Sequence, residues 1–308
     1  MGKKIMGKSV AETIRDLSKK IIDKNKAVVI GQCLSAVGWV QNTVPPQKKG
    51  IIELPMTDIA GAGFAVGISL TGIRPIFILR FQSFLWLNSS PLVNHAAKAK
   101  EMFGYGAPVF IRAIASEGPS SGPLHTNCYH SPFAHMPGML ICAPMTPKEY
   151  ISIWNKYLQN DLPVLVSEHR RSYKEKREFT DTIQKKSKIS VFLISASRFE
   201  EDKLKKILRK NNIYIDVFHI VWLKPFEMKK KYIESLKKTK KGLVIDSTYE
   251  ICSISEHISF KLMLKVNAAK VFNFGMRDKS PGCSPALLNG TPDANMIAKK
   301  IKSILKNK

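Results

Sequence analysis

The sequence predicts an α/β protein of two domains, each a mainly parallel sheet flanked by helices. Three observations lead there. Short apolar runs of strand length alternate with longer segments of helical apolar spacing; a charged, apolar-poor stretch over residues 174–188 interrupts the alternation; beyond it the alternation restarts. A strand, a helix and a second strand close most readily as a parallel pair, because the crossover helix covers one face of the sheet. With 308 residues and 44% hydrophobic content, the chain has enough apolar surface for two cores. The expected division is a first domain over 1–173, a linker over 174–188 and a second domain over 189–308.

In order along the chain, Val10, Ile14, Leu17, Ile21 and Ile22 recur at helical spacing through residues 10–25, and the apolar run 27–30 reads as a strand. An extended segment, 51–57, leads to a helix ending at Leu70, and a turn at Thr71 and Gly72 follows. Next come a strand over 75–79, a helix over 91–103 opened by Pro91, and a strand over 108–113. A loop rich in Gly, Ser and Pro occupies 116–123, and strands at 139–142 and 163–167 flank a helix that starts after Thr146 and Pro147. In the second half the pattern predicts strands over 191–195, 214–220, 243–246 and 270–274, with helices over 201–209, 226–236, 253–264 and 292–305.

Composition narrows the function. No run approaches the roughly 18 apolar residues of a membrane span, and the N-terminus lacks the long apolar stretch of a secretory signal, so the chain reads as soluble and cytoplasmic. Five cysteines without C-x-x-C spacing indicate neither a disulfide framework nor a cysteine zinc site. The net charge of +25 raises nucleic acid as a partner, but the basic residues are mostly lysines on helix-like surfaces, as at Lys203, Lys205, Lys206 and Lys210, without an arginine- and aromatic-rich platform. Solvated helix faces explain them better, and an acidic protein partner comes next. Gly2, Gly7, Lys8 and Ser9 fit the spacing of a phosphate-binding loop, yet no strand precedes them to position it. Gly61, Gly63 and Gly67 are spaced one residue too widely for a dinucleotide fingerprint, and close helix packing is the better expectation for them.

Asp58 carries the most information. It stands between the extended segment and a glycine-dense apolar run, where a buried carboxylate needs a hydrogen bond or an altered pKa, and so is a candidate proton handler. The plain alternative is a helix N-cap. A second cluster follows the 108–113 strand: His125, His130 and His135, three of the seven histidines, fall within 125–138. Their spacing matches no common metal site and no carboxylates accompany them, so acid–base or oxyanion-stabilising roles beside a glycine-rich loop are expected.

These segments carry a family resemblance. Residues 53–67, then Arg74 and Pro75, then Phe81, Gln82, Ser83 and Phe84, then 93–98, then 125–138, then Ser167, Glu168 and His169, in that order, resemble the beta subunit of thiamine-diphosphate-dependent 2-oxo acid dehydrogenases, within the transketolase-like superfamily. The resemblance runs through residues 10–173 and continues more weakly at Val217, Pro225 and 242–246. It implies a thiamine-diphosphate pyrimidine-binding fold followed by a transketolase C-terminal-like fold.

The resemblance also implies residue roles. In the family a glutamate hydrogen-bonds the aminopyrimidine of thiamine diphosphate and promotes the tautomer that deprotonates the thiazolium carbon; Asp58 takes that place. Phe84 matches the aromatic that stacks on the same ring, Ser83 replaces the acidic residue before it, and Phe81 belongs to the same cofactor-binding segment. His125 matches the histidine that faces the bound intermediate and acyl transfer to lipoamide, with Thr126 and Asn127 in place of Ser and Gln; His135 matches a second, supporting histidine. Asp58 is one methylene shorter than glutamate, a retreat of roughly 1.5 Å, and about 1 Å of misplacement can cost about a hundredfold in rate. A shifted backbone that restores the reach is therefore expected.

The family's G-D-G, which with a distal Asn holds Mg²⁺ and the diphosphate, does not occur in this chain. The resemblance thus implies an alpha-type subunit that supplies that half and the Mg²⁺, an α2β2 assembly with the active site at the interface, possible handover to a lipoyl acyltransferase, and no nucleic-acid or membrane partner. The function expected is decarboxylation of a 2-oxo acid, oxidative or non-oxidative, with acyl transfer. The alternatives are the C-terminal half of a split transketolase-like enzyme and a non-catalytic paralogue subunit.

Overall fold

The structure, a computed structural model, describes residues 7–35, 40–47, 49–118 and 122–306. It forms two compact units. One runs from the N-terminal helix to Ser116 and resumes over Phe133–Glu178; the other comprises Glu117–Pro132 and the chain from Phe179 onward. Both are α/β with parallel sheets.

In the first unit, α1 (Val10–Ile22) starts with a capping box: Ser9 Oγ accepts from the Glu12 N–H at 3.3 Å, and Glu12 accepts from the Ser9 N–H at 2.7 Å. The phosphate-loop spacing at Gly7, Lys8 and Ser9 is thus a helix start, with Gly2 outside the described residues. Strands β1 (Ala27–Gln32) and β2 (Ile51–Leu54) precede α2 (Ile59–Leu70), and β3 (Arg74–Leu79) follows it. The expected helix at 91–103 instead begins upstream as α3 (Leu85–Ser90), widens into a π-helical turn at Pro91–Ala96 and ends as α4 (Ala99–Phe103). Pro91 lacks an N–H and reads as a helix start; the wider turn absorbs the missing bond within the helical run. The remaining elements of this unit are β4 (Phe110–Ala115), β5 (Leu140–Cys142), α7 (Pro147–Leu158) and β6 (Val164–His169); between β4 and β5 the short helix α5 (Gly122–His125) belongs to the second unit, and α6 (His130–Ala134) starts there and ends in the first.

Within this unit the strand order is β2-β1-β3-β4-β6-β5, and every pairing is parallel. All residues of β4 and β6 are buried, as expected of central strands covered on both faces. The chain runs from β1 outward to β2 and then crosses to β3 on the other side, so a topological switch point lies between β1 and β3. In open parallel sheets the crevice at the carboxyl ends of such strands is the natural ligand site.

The second unit comprises β7 (Ile189–Ile194), α8 (Glu201–Arg209), β8 (Ile215–Ile220), β9 (Trp222–Lys224), α9 (Lys230–Thr239), β10 (Lys241–Tyr249), α10 (Ile254–Lys265), β11 (Lys270–Met276) and α11 (Ala294–Lys306). Its four-stranded parallel sheet has the order β11-β10-β7-β8. Leu204, Leu208, Ile297 and Ile301 of α8 and α11 bury one face with Ile189, Val191, Val217 and Leu243. The helix expected from 226 begins at Lys230, and Phe226 instead stacks on Tyr232 ahead of it. Strand β10 continues past the expected Asp246 to Tyr249 with a register shift after Ile245. Within the stretch expected as a linker, Thr182 forms an antiparallel bridge to Val217. Among the described residues no helix is long and apolar enough to cross a membrane.

Candidate active site

Asp58 lies at the switch point of the first sheet. It shares a small pocket with Gln32 at the end of β1, Arg80 just past β3, Phe84, Asn88 and Gly61, over a floor that includes Leu54, Phe77 and Leu79. Asp58 occupies the N-cap position of α2 but does not act as a cap. Its backbone is at φ 34°, ψ −98°, outside the extended region that N-caps adopt, and its side chain makes no cap hydrogen bond. In the amide orientation that pairs donors with acceptors, Gln32 accepts from the N–H groups of Thr57 and Asp58, each at 3.2 Å. Gln32 therefore serves the start of α2, and among the described residues the Asp58 carboxylate is left without a structural hydrogen bond. The sequence-based expectation of a buried acid is corrected here: Asp58 is half-buried, open on the pocket side.

Phe84 is fixed from several directions. The Asn88 side chain donates to the Phe84 carbonyl at 2.8 Å. In the same turn, Gln82 Nε2 donates to the Ala113 carbonyl at 3.0 Å and to Ser167 Oγ at 2.8 Å, pinning the turn to the carboxyl ends of β4 and β6. Phe81 meets Phe84 edge-on at 6.0 Å but does not line the pocket; its own face is covered by Arg170 at 4.7 Å. Arg80 stands 5.9 Å from the Phe84 ring. Gly61 leaves room for the tip of Leu54, whose Cδ1 would lie 2.9 Å from a Cβ there and would have to move aside. Gly63 and Gly67, expected to pack closely, face open space instead.

His125 lies in the second unit, at the end of α5 and half-buried. The residues after it are held by that unit's own groups. Thr126 Oγ1 donates to the Gly118 carbonyl at 3.1 Å, and Asn127 donates to the Pro123 carbonyl at 2.9 Å while accepting from the Tyr249 hydroxyl at 2.9 Å. His130 is fully buried between Cys128 Sγ, 3.2 Å from its Nδ1, and Asp246, 2.9 Å from its Nε2. Burial alone would depress the His130 pKa, but the Asp246 charge and Cys128 lift it well above its ordinary value. His135 is exposed in the first unit and does not line the Asp58 pocket. The Gly138 that ends its motif is irreplaceable, because a Cβ there would overlap the Ala97 carbonyl.

Residues 8–176 match the family described as transketolase, pyrimidine binding domain. The chain belongs to this family. Among curated proteins it is 25% identical over 222 residues to the acetoin:2,6-dichlorophenolindophenol oxidoreductase subunit beta of Cupriavidus necator, covering 68% of this chain and 65% of that subunit, just under two thirds of its length. It is 23% identical over 277 residues to the pyruvate dehydrogenase E1 component subunit beta of Rickettsia felis, covering 83% of this chain and 84% of the relative. Among solved structures, a split-gene transketolase described as an inactive beta4 tetramer superposes with a TM-score of 0.74 at 15% identity, over 97% of this chain and 99% of that one. The transketolase of Campylobacter jejuni gives 0.73 at 16% identity, over 98% of this chain and 48% of its own. The two-unit α/β architecture is therefore transketolase-like.

For a pyrimidine-binding domain the Asp58 pocket has a fitting set of groups: an aromatic ring, a carboxylate that caps no helix and an apolar floor. The structure brings Asp58 and Phe84 together and sets Phe81 behind Phe84; His135, in the same unit, does not line that pocket, and His125 belongs to the other unit. Sequence reasoning missed Gln32, Arg80, Gln82 and Asn88. Two of them carry a faint signal, because Gln32 and Arg80 are the first polar residues after apolar strands, at the end where ligands collect.

Proposed function

We propose that this chain is the beta-type subunit of a heteromeric thiamine-diphosphate-dependent enzyme that decarboxylates a 2-oxo acid, oxidatively or non-oxidatively, with acyl transfer. The observation that carries the reading is Asp58. A non-glycine residue at φ 34° is strained by an amount on the order of 1–3 kcal/mol. That strain brings no side-chain cap to the helix, and the N–H groups of Thr57 and Asp58 are taken up by Gln32; it sets a carboxylate beside the Phe84 ring. The unusual backbone supports the expectation that the main chain has shifted to offset the shorter side chain. When bound, thiamine diphosphate would supply a thiazolium carbanion and an electron sink. The chain's part is to stack the aminopyrimidine on Phe84, hold its ring nitrogen with Asp58, and present His125 to the acyl group. His135 is assigned a supporting role.

The Mg²⁺ and diphosphate are assigned to an alpha-type partner in an α2β2 assembly. α2 supports a partner: it is apolar nearly all round, Ile59, Phe64 and Leu70 are exposed, and Gly63 and Gly67 leave room for a close approach. The names of the Cupriavidus and Rickettsia relatives, both beta subunits, point the same way. A second reading, the C-terminal half of a split transketolase-like enzyme, is favoured by the match to 99% of the length of a split-gene transketolase chain. Calorimetry with thiamine diphosphate and Mg²⁺ on this chain mixed with a partner carrying G-D-G tests the cofactor assignment. Saturable binding that Asp58→Ala weakens, with assembly intact, is expected; no binding in the presence of the partner contradicts it. Turnover of 2-oxo acids against ketose phosphates then separates the two readings.

A further inference from the structure

The second sheet has its own switch point. From β7 the chain runs to β8 on one side and then crosses to β10 on the other, so the crevice at the carboxyl ends of β7 and β10 is where a ligand would be expected. Here the chain's own segment occupies it. The described residues of Glu117–Pro132 belong to this unit, and the side chains of Asn127, His130 and Ser131 reach Tyr249, Asp246 and Thr248 at the end of β10. Asp246 accepts from the Ser247 N–H at 2.6 Å and pairs with His130 at 2.9 Å. Ser131 Oγ donates to Thr248 Oγ1 at 3.1 Å and accepts from the Ile254 N–H at 3.1 Å. Glu117 accepts from the Thr291 N–H at 2.8 Å, tying down the start of the segment. Asp246 and His130 are 0% exposed and Cys128 is 3% exposed, so a Cys–His–Asp array lies in the interior rather than at the surface.

A buried ion pair of this kind is weak as a source of net stability but strong as a device that fixes one arrangement, since breaking it strands a charge in the interior. With Nε2–H donating to Asp246 and Nδ1 facing Cys128 Sγ, both ring nitrogens of His130 are committed. The segment that precedes it runs from His125 through Thr126, Asn127 and Cys128 to Tyr129. We infer that His130, clasped between Asp246 and Cys128, is a positioning residue that locks the His125-bearing segment onto the end of β10 and thereby sets the orientation of His125. The anchoring stands on the geometry alone; its consequence for turnover rests on the acyl-transfer role proposed for His125.

Hydrogen–deuterium exchange on the full chain tests the anchoring. In His130→Ala, amides of residues 122–129 exchange faster by about tenfold or more, as in a local opening, while α8, α11 and their core strands keep wild-type protection. Alkylation of Cys128 by iodoacetamide accelerates in parallel. Asp246→Asn, which keeps shape and removes charge, gives the same pattern more weakly and covers the case in which His130→Ala does not fold. Unchanged exchange over 122–129, or a rise spread evenly over the unit, overturns the inference. In the enzyme reconstituted with its partner, His130→Ala lowers kcat by about tenfold to a hundredfold with little change in KM, the range of a misplaced group. The double variant His125→Ala, His130→Ala is no slower than His125→Ala alone, because His130 acts through His125. Additive losses overturn the positioning role, whereas inactivity of the wild-type assembly contradicts the proposed function and leaves the exchange result to decide the anchoring.

Discussion

Asp58 is held in a conformation that costs free energy and gives no fold-level return. Glycine tolerates φ 34° without the Cβ clash, so Asp58→Gly is expected to stabilise the chain by about 1 kcal/mol in urea unfolding while weakening cofactor binding, as Asp58→Ala does. Asp58→Ala keeps the clash and should not stabilise. The contrast is Glu168, a buried carboxylate with a structural task. Arg112 donates to it at 2.6 and 2.9 Å, and Tyr173 at 2.6 Å. Burial alone would lower the Arg112 pKa; the adjacent Glu168 charge holds it well above its ordinary value. Glu168→Gln should cost about 3–5 kcal/mol, because it leaves the guanidinium buried without its counter-charge. Asp58 precedes an apolar run and Glu168 follows one, so the sequence marks both as unusual without saying which is structural. That distinction depends on Gln32, Arg112 and Tyr173, which reach them across strands and helices far apart in the chain.

Among the elements, α2 is the least self-sufficient. Its exposed Phe64 and Ile59 are expected to be covered by a partner, and among the described residues nothing packs against its Gly63 and Gly67. Gly67→Ala should therefore raise the stability of the isolated chain by roughly 0.5–1 kcal/mol, the helix-propensity gain, as chemical denaturation would measure. Phe64→Asp should leave that stability nearly unchanged yet prevent assembly with the partner in size-exclusion chromatography. Helix periodicity locates α1, α7 and α8 closely, because each has one apolar face. It misplaces the start of the α3 run, where Pro91 sits inside a π-helical turn, and it cannot foresee that a loop following β4 folds with the second unit, since tertiary contacts at Asp246 and Thr248 decide that.

At the scale of the whole molecule, stability depends on pH through His130. Its folded pKa is raised above the ordinary 6.5, so the folded state binds the proton more tightly than the unfolded state. The resulting stabilisation is fully present below the unfolded value and is lost as pH rises through the folded one. Urea midpoints should therefore fall as pH rises above about 6.5 and through the raised folded pKa, and His130→Gln should flatten that slope. A slope that survives His130→Gln unchanged would assign the effect elsewhere. The alternation of strands and helices made both sheets legible from sequence, whereas the pocket was legible only through the order of motifs around it. Its proton-handling role is tested most directly by NMR of deuterium exchange at the thiazolium C2 of thiamine diphosphate bound to the reconstituted assembly. The account predicts fast exchange in wild type and a loss of about a hundredfold or more in Asp58→Ala with cofactor still bound. Equal exchange rates in the two proteins would contradict it.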